Sequence, residues 1–205
     1  MIEHQDLNGV EVSTYKAAKK GNWCSGDSFF VTRTKDYILC AMADGLGSGE
    51  EAMNSSTAVI EAIKNDHGED VLFLMDKCNR VLVQRRGAVL SILRIDINEQ
   101  EITYSNVGNI GCNFYSPDGK LDRPVPSRGY LSGKKQKIRI QRIPYEKGMT
   151  FVLYTDGFHF NPGYHSILSK MDSPKDTLHQ LVELMEDTND DTALLIGKID
   201  NSTIK

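Results

Sequence analysis

Four acidic stations stand at the ends of apolar runs. The uncharged run 37–43 leads directly into Asp44-Gly45-Leu46-Gly47-Ser48-Gly49, and the run 149–155 leads into Asp156-Gly157. Asp190 and Asp191 stand just before the apolar run 193–196, and Asp27 stands before Phe29-Phe30-Val31. A carboxylate at the mouth of a buried strand needs a cation, a metal or hydrogen-bond donors, because burying an uncompensated charge is costly. The glycines after Asp44 allow unusual backbone dihedrals and close approach to a ligand. Asp-Gly pairs ordinarily make turns, but turns alone do not call for acids at four strand ends. Mg2+ and Mn2+ prefer carboxylate, carbonyl and water oxygens, so an all-Asp set without ligating His or Cys suits them better than zinc. The chemistry implied is metal-assisted hydrolysis.

The elements that must position these acids are legible from periodicity. The alternation of Val10, Val12 and Thr14 with polar residues reads as a strand over 8–15; Asp27 opens a second, and Lys35-Asp36 turns it back into the 37–43 strand. Three antiparallel strands are therefore expected to open the fold. Ala52, Ser56, Val59, Ile60 and Ile63 give one apolar face to a helix over 50–66, and a second helix is expected over 69–84. Ser55-Ser56-Thr57 has no activating base nearby in sequence and reads as small residues for close packing. Strands are expected over 88–97, 102–107 and 110–115, the last reaching the turn Ser116-Pro117-Asp118-Gly119. Ile138, Ile140 and Ile143 mark a further strand, and a helix over 173–187 begins with Ser173 as cap and Pro174 at its first position. Hairpin-length connections between most strands predict an α+β layered domain.

Composition narrows the function. The 205 residues suffice for one sizeable core, expected as a single domain over 1–200 with a C-terminal tail at 201–205. A formal net charge of −4 argues against nucleic acid and anionic membrane as partners, although Lys134-Lys135-Gln136-Lys137 is a local basic cluster. No run approaches membrane-spanning length, and the N-terminal residues lack the basic and apolar blocks of a signal peptide, so a cytoplasmic protein is expected. Cys24, Cys40, Cys78 and Cys112 lack metal or disulfide spacing and are expected as reduced thiols, Cys40 and Cys112 in the core. No heptad or long apolar stripe demands a dimer, so a monomer is expected.

The motifs Ser25-Gly-Asp-Ser28, Ala43-Asp-Gly-Leu-Gly-Ser-Gly49, Ser105-Asn-Val-Gly-Asn109, Gly129-Tyr-Leu-Ser-Gly133, Thr155-Asp-Gly157 and Asp190-Asp191 follow the order seen in PPM-type (type 2C) metal-dependent serine/threonine phosphatases. The chain resembles that family over nearly its whole length, and its compact size and glycine loops resemble the stressosome phosphatases of Bacillus-type bacteria. The resemblance implies a four-layer αββα sandwich of two antiparallel sheets flanked by helices, with two Mn2+ or Mg2+ ions at one end. It implies that Asp44 bridges the metals, that Gly45 offers its carbonyl, and that Asp156 and Asp190 hold the first ion, with Asp191 the second choice at that motif. Asp27 would serve the second ion directly or through water. Asp44, Asp156 and Asp190 would then act through metal-activated water, without a covalent phosphoenzyme.

The chain departs from the family pattern in three places. Gly26 stands where an acid is frequent, Ala193 occupies the usual Thr position, and Asn22-Trp23-Cys24 lacks the phosphate-gripping arginine of many relatives. Lys19 or Lys20 is the nearest cationic replacement; otherwise the metals hold the phosphate. His4, His67, His159, His165 and His179 are formal candidates for the general acid, with His159 nearest a metal acid in sequence. The implied substrates are phosphorylated stressosome proteins of the RsbS and RsbR type, whose dephosphorylation damps the sigma-B general stress response. Two other readings are a catalytically silent module that binds phosphorylated regulators and a phosphatase acting on an anti-sigma-factor antagonist.

Overall fold

The computed structural model describes residues 1–185 and 189–200. In chain order the elements are β1 (Ile2–Asp6), β2 (Val10–Ala17), β3 (Asp27–Arg33), β4 (Tyr37–Gly45), α1 (Glu50–Asp66), α2 (Val71–Val81), β5 (Ala88–Asp96), β6 (Glu101–Val107), β7 (Gly111–Tyr115), β8 (Leu121–Asp122), β9 (Gln141–Pro144), β10 (Thr150–Tyr154), α3 (Tyr164–Leu168), α4 (Pro174–Leu184) and β11 (Thr192–Ile199). Two antiparallel sheets result, a six-stranded one in the order β1-β2-β11-β10-β7-β8 and a five-stranded one in the order β3-β4-β5-β6-β9.

The layers follow from which side chains are apolar on which face. In β4, Ile38, Cys40 and Met42 enter the core between the sheets, while Leu39, Ala41 and Ala43 face the core beneath α1 and α2. Burial on both faces is why this strand reads as one unbroken apolar run. In β10 and β11, Phe151, Leu153, Ala193 and Leu195 enter the inter-sheet core, while Val152, Leu194 and Ile196 pack with Leu178 and Leu181 of α4. The stack is helices, sheet, sheet, helices: the expected αββα sandwich. Each fully buried Leu or Ile in these cores contributes roughly 1.5–3 kcal/mol.

Several boundaries differ from expectation for local reasons. The expected strand at 8–15 does not join β3 and β4; it pairs with β1 and β11 in the other sheet, so only β3 and β4 form the opening hairpin. The polar segment Ile2–Asp6 adds an edge strand that its composition does not announce. The second helix is shorter than 69–84: Asp70 caps its start by accepting from the Phe73 N–H at 2.8 Å, and it ends at Val81, ahead of Gln84, whose φ is positive. Ile138 and Ile140 pack on the helix-side core without joining a ladder, and the strand there is only Gln141–Pro144. The short α3 has no signal in the sequence pattern. Ser173 caps α4 as expected, while Asp187 and the tail at 201–205 lie outside the described residues. All four cysteines are buried free thiols.

Candidate metal centre

Strand parity aims the acids. Asp44 continues the Ile38, Cys40, Met42 phase of β4 and so points between the sheets, and Asp27 stands directly opposite it in the β3–β4 register. Asp191 shares the phase of Ala193 and Leu195 and is likewise directed inward, where it is buried. Asp190, in the opposite phase, is exposed, as is Asp156 just past the end of β10. Asp44, Asp156, Asp190 and Asp191 line one cavity of about 280 Å3 together with Gly45, Leu46, Gly47, Val89 and Asn109. Asp27, only 1% exposed, is not part of that lining.

Two glycines make this convergence sterically possible. A Cβ on Gly45 would sit 1.9 Å from the Ala52 carbonyl oxygen, so only glycine lets the first turns of α1 lie against the end of β4. A Cβ on Gly157 would sit 2.1 Å from the Asp191 carbonyl oxygen, so the β10 exit and the β11 entry also meet only through glycine. Ser28 and Ser56 extend the close packing of α1, with their hydroxyl oxygens 3.0 Å apart. Ser55 and Ser56 are thus buried packing residues, and both hydroxyls also donate to helix carbonyls.

The acids are held unequally. Asp191 is tied at both oxygens, accepting from the Lys19 N–H at 2.7 Å and the Gly26 N–H at 2.8 Å. Lys19 therefore contributes its backbone to this acid. Asp190 Oδ1 accepts from the Asp191 N–H at 2.9 Å, and Asp156 Oδ2 accepts from the Asn109 side-chain amide at 3.0 Å. Thr155, inward-facing on the other sheet, donates its hydroxyl to Asp27 Oδ2 at 2.8 Å and accepts from the Ala193 N–H at 2.8 Å. The other oxygen of Asp27 is buried without a hydrogen-bond partner.

That orphaned oxygen is one sign of uncompensated negative charge. Burial, and then the neighbouring Asp44, push the Asp27 carboxyl up to about 8. Burial, and then Asp156, Asp190 and Asp191, push Asp44 up to about 7. A divalent cation in the cavity would relieve both, and the donors on offer are oxygens, which suit Mg2+ or Mn2+. The residues present therefore fit such an ion. Among the described residues, no three His, Cys, Asp or Glu side chains are already gathered into a ligand set around one point. The acids ring an open cavity instead.

Three residues that shape the site escape a search for acids. Asn109 and Thr155 orient Asp156 and Asp27, and their only signal is adjacency, within the quoted motifs, to a glycine or an acid. Arg86, which marks the end of a helical segment in sequence, pairs with Glu51 and lies against Gly47, its Nη1 only 2.6 Å from where a Cβ would be. Cys24 is buried and does not line the cavity, and His159 is exposed.

Comparison with known proteins agrees with this geometry. A family model described as Stage II sporulation protein E (SpoIIE) matches residues 34–200. The chain is 36% identical over 199 residues to phosphoserine phosphatase RsbX of Bacillus subtilis (strain 168), covering 97% of this chain and 100% of that protein. A crystal structure of RsbX in complex with magnesium superposes with a TM-score of 0.92 at 36% identity, covering 98% of this chain and 100% of that one. A chain from a study of the bacterial stressosome as a modular system controlling secondary messenger signalling shares the fold, with a TM-score of 0.85 at 24% identity over 92% of this chain and 99% of its own. With two Asp-Gly strand ends facing one cavity and a family match that spans both, the chain belongs to the SpoIIE family of PP2C-type, metal-dependent phosphatases.

Proposed function

We propose that this chain is a phosphoserine and phosphothreonine protein phosphatase acting on phosphorylated stressosome proteins of the RsbS and RsbR type, and that it thereby damps the sigma-B general stress response. Two Mn2+ or Mg2+ ions would be held by Asp44, the Gly45 carbonyl, Asp156 and Asp190, with Asp27 serving the second ion. The observation that carries this is the concentration of negative charge at one end of the sandwich, with a buried Asp27 oxygen unpartnered and both inner acids driven toward protonation. When bound, such ions supply Lewis acidity to a water and offset charge on the phosphoryl oxygens.

The chain's own residues prepare the site for them. Thr155 fixes one oxygen of Asp27, and Asn109 fixes one oxygen of Asp156 while leaving the other to the cavity. Asp191 is committed to two backbone donors and serves as the tie that joins the β11 entry to the segment before β3. This supports Asp190, rather than Asp191, as the ligand at the C-terminal motif. Leu46 and Val89 give the cavity an apolar part to its wall.

The test is release of phosphate from a phosphorylated RsbS-type protein with Mn2+, with chelator and with Asp44→Asn. Metal-dependent turnover that falls roughly a thousandfold or more in the variant is expected. Binding of the phosphoprotein without turnover, in the presence of bound metal, would favour a silent binding module instead.

A further inference from the structure

The phosphoryl chemistry leaves the most basic stretch of the chain unused. Residues 123–142 carry seven Lys and Arg and no Asp or Glu, whereas the rest of the chain carries 17 Lys and Arg against 28 Asp and Glu. All seven cations are exposed. Arg142 pairs with Glu101, and Arg123 donates to Asn113 and His165. Among the described residues, Arg128, Lys134, Lys135, Lys137 and Arg139 pair with no carboxylate.

These cations are not on a loose tether. Leu131 is buried and exchanges two backbone hydrogen bonds with Ala88, at 3.0 and 2.8 Å. The Asn79 side chain accepts from the Ser132 and Gly133 N–H groups and donates to the Lys134 carbonyl. Ser127 bonds to Asn106 and Gly108 through its backbone, and Ile138 and Ile140 pack on the helix-side core. The anchors adjoin the acid cavity: Gly87, next to Ala88, accepts from the Leu46 N–H at 3.0 Å, and Gly108 precedes Asn109. Leu46 and Asn109 both line the cavity. An ordered strap of mostly unpaired positive charge therefore begins beside an acidic site at 127–131 and leads away from it along the β6 edge to 139–142.

Like charges held together repel, and a phosphate monoester alone needs only the cavity. The strap matches a longer anion that enters the cavity at one point. A nucleic acid is the poorer fit, because the strap offers a single aromatic residue, Tyr130, for stacking and the remaining surface is strongly acidic. We propose that the 123–142 strap is a docking surface for an acidic segment of the phosphoprotein substrate, flanking the phosphorylated residue. The proposal rests on the phosphatase reading above and specifies what that site recognises beyond phosphate.

The experiment compares three substrates with the full chain and Mn2+: p-nitrophenyl phosphate, a phosphoserine peptide flanked by Asp and Glu, and the same peptide with Asn and Gln in their place. At low salt, kcat/KM for the acidic peptide should exceed that for the neutral one by about tenfold. The advantage should close at about 0.5 M salt and in a Lys134→Gln, Lys135→Gln, Lys137→Gln variant, with p-nitrophenyl phosphate turnover unchanged. An Arg128→Gln, Arg139→Gln variant should reproduce the effect. Equal turnover of the two peptides by the unmodified enzyme would overturn the docking surface while leaving the phosphatase intact. So would a single-stranded oligonucleotide that displaces the acidic peptide and loses its grip in the variants. Failure to hydrolyse any of the three substrates would sink the phosphatase reading, and the docking surface with it.

Discussion

The two Asp-Gly strand ends do the same backbone work and carry different electrostatic loads. Gly45, at the end of the five-stranded sheet, presses on the Ala52 carbonyl; Gly157, beyond β10 of the six-stranded sheet, presses on the Asp191 carbonyl. In both places glycine brings an acid and a neighbouring backbone into one small volume. The acids then part company. Asp44 is half-buried, faces Asp27 across the ladder and is pushed up to about 7. Asp156 is exposed and is oriented by the Asn109 amide. The same dipeptide thus serves one sheet as an inner, charge-stressed station and the other as an outer, solvated one.

The shared part of this comparison should break most severely. Gly45→Ala and Gly157→Ala each force a methyl group into backbone, which a side-chain rotation cannot relieve. Each should cost roughly 2–4 kcal/mol and lower the melting temperature by about 5–15 °C for a chain of this size. Thermal unfolding by circular dichroism reads this directly. Wild-type melting of either variant would mean that its close approach is not a packing constraint, and the symmetry of the two strand ends would fail there.

Much of this arrangement is legible before any coordinates. Burial of β4 on both faces shows as the uncharged run at 37–43, which sets Asp44 at a strand end, but with both faces apolar the run does not say which of them lies between the sheets. The ordered motifs likewise carry the fold through the family they resemble. Sheet membership is not legible in the same way. β2 alternates like a hairpin partner of β3, yet its ladder partner is β11, about 180 residues away; local periodicity carries no information about so distant a pairing. The roles of Asp190 and Asp191 are also hidden, because the two acids are chemically identical. Burial and the backbone donors of Lys19 and Gly26, brought in from the other end of the chain, separate them.

That separation gives the intermediate effect. Asp191→Ala leaves the buried Gly26 N–H and the Lys19 N–H without their acceptor, at a cost of about 1–3 kcal/mol. Asp190→Ala removes an exposed side chain and should shift stability by less than about 1 kcal/mol, yet lower phosphatase turnover by roughly a hundredfold or more. Melting temperature and turnover measured on the same two preparations distinguish the roles. If Asp191→Ala melts like the parent and loses turnover more deeply than Asp190→Ala, the assignments of tie and ligand must be exchanged.

The pH response tests the asymmetry itself. In the metal-free protein Asp27 is raised from an ordinary 3.8 to about 8 and Asp44 to about 7, mainly by burial. Between pH 4 and 8, approximately, the folded state then holds more protons than the unfolded state, so unfolding releases protons and stability falls as pH rises. The stabilisation is complete below the unfolded carboxylate range and is lost as pH passes through the folded values, with the two acids titrating as a coupled pair. With chelator present, the melting temperature should drop by about 10 °C from about pH 5.5 to about pH 8.5. Asp27→Asn should flatten that slope, and saturating Mg2+ should flatten it in the parent by supplying the positive charge that protons otherwise bring. Asp156→Asn removes one of the charges that raise Asp44 and should soften the slope less than Asp27→Asn does. A metal-free melting temperature that stays level or rises across this window would mean that Asp27 and Asp44 are already compensated, and the inner station would be no more stressed than the outer one.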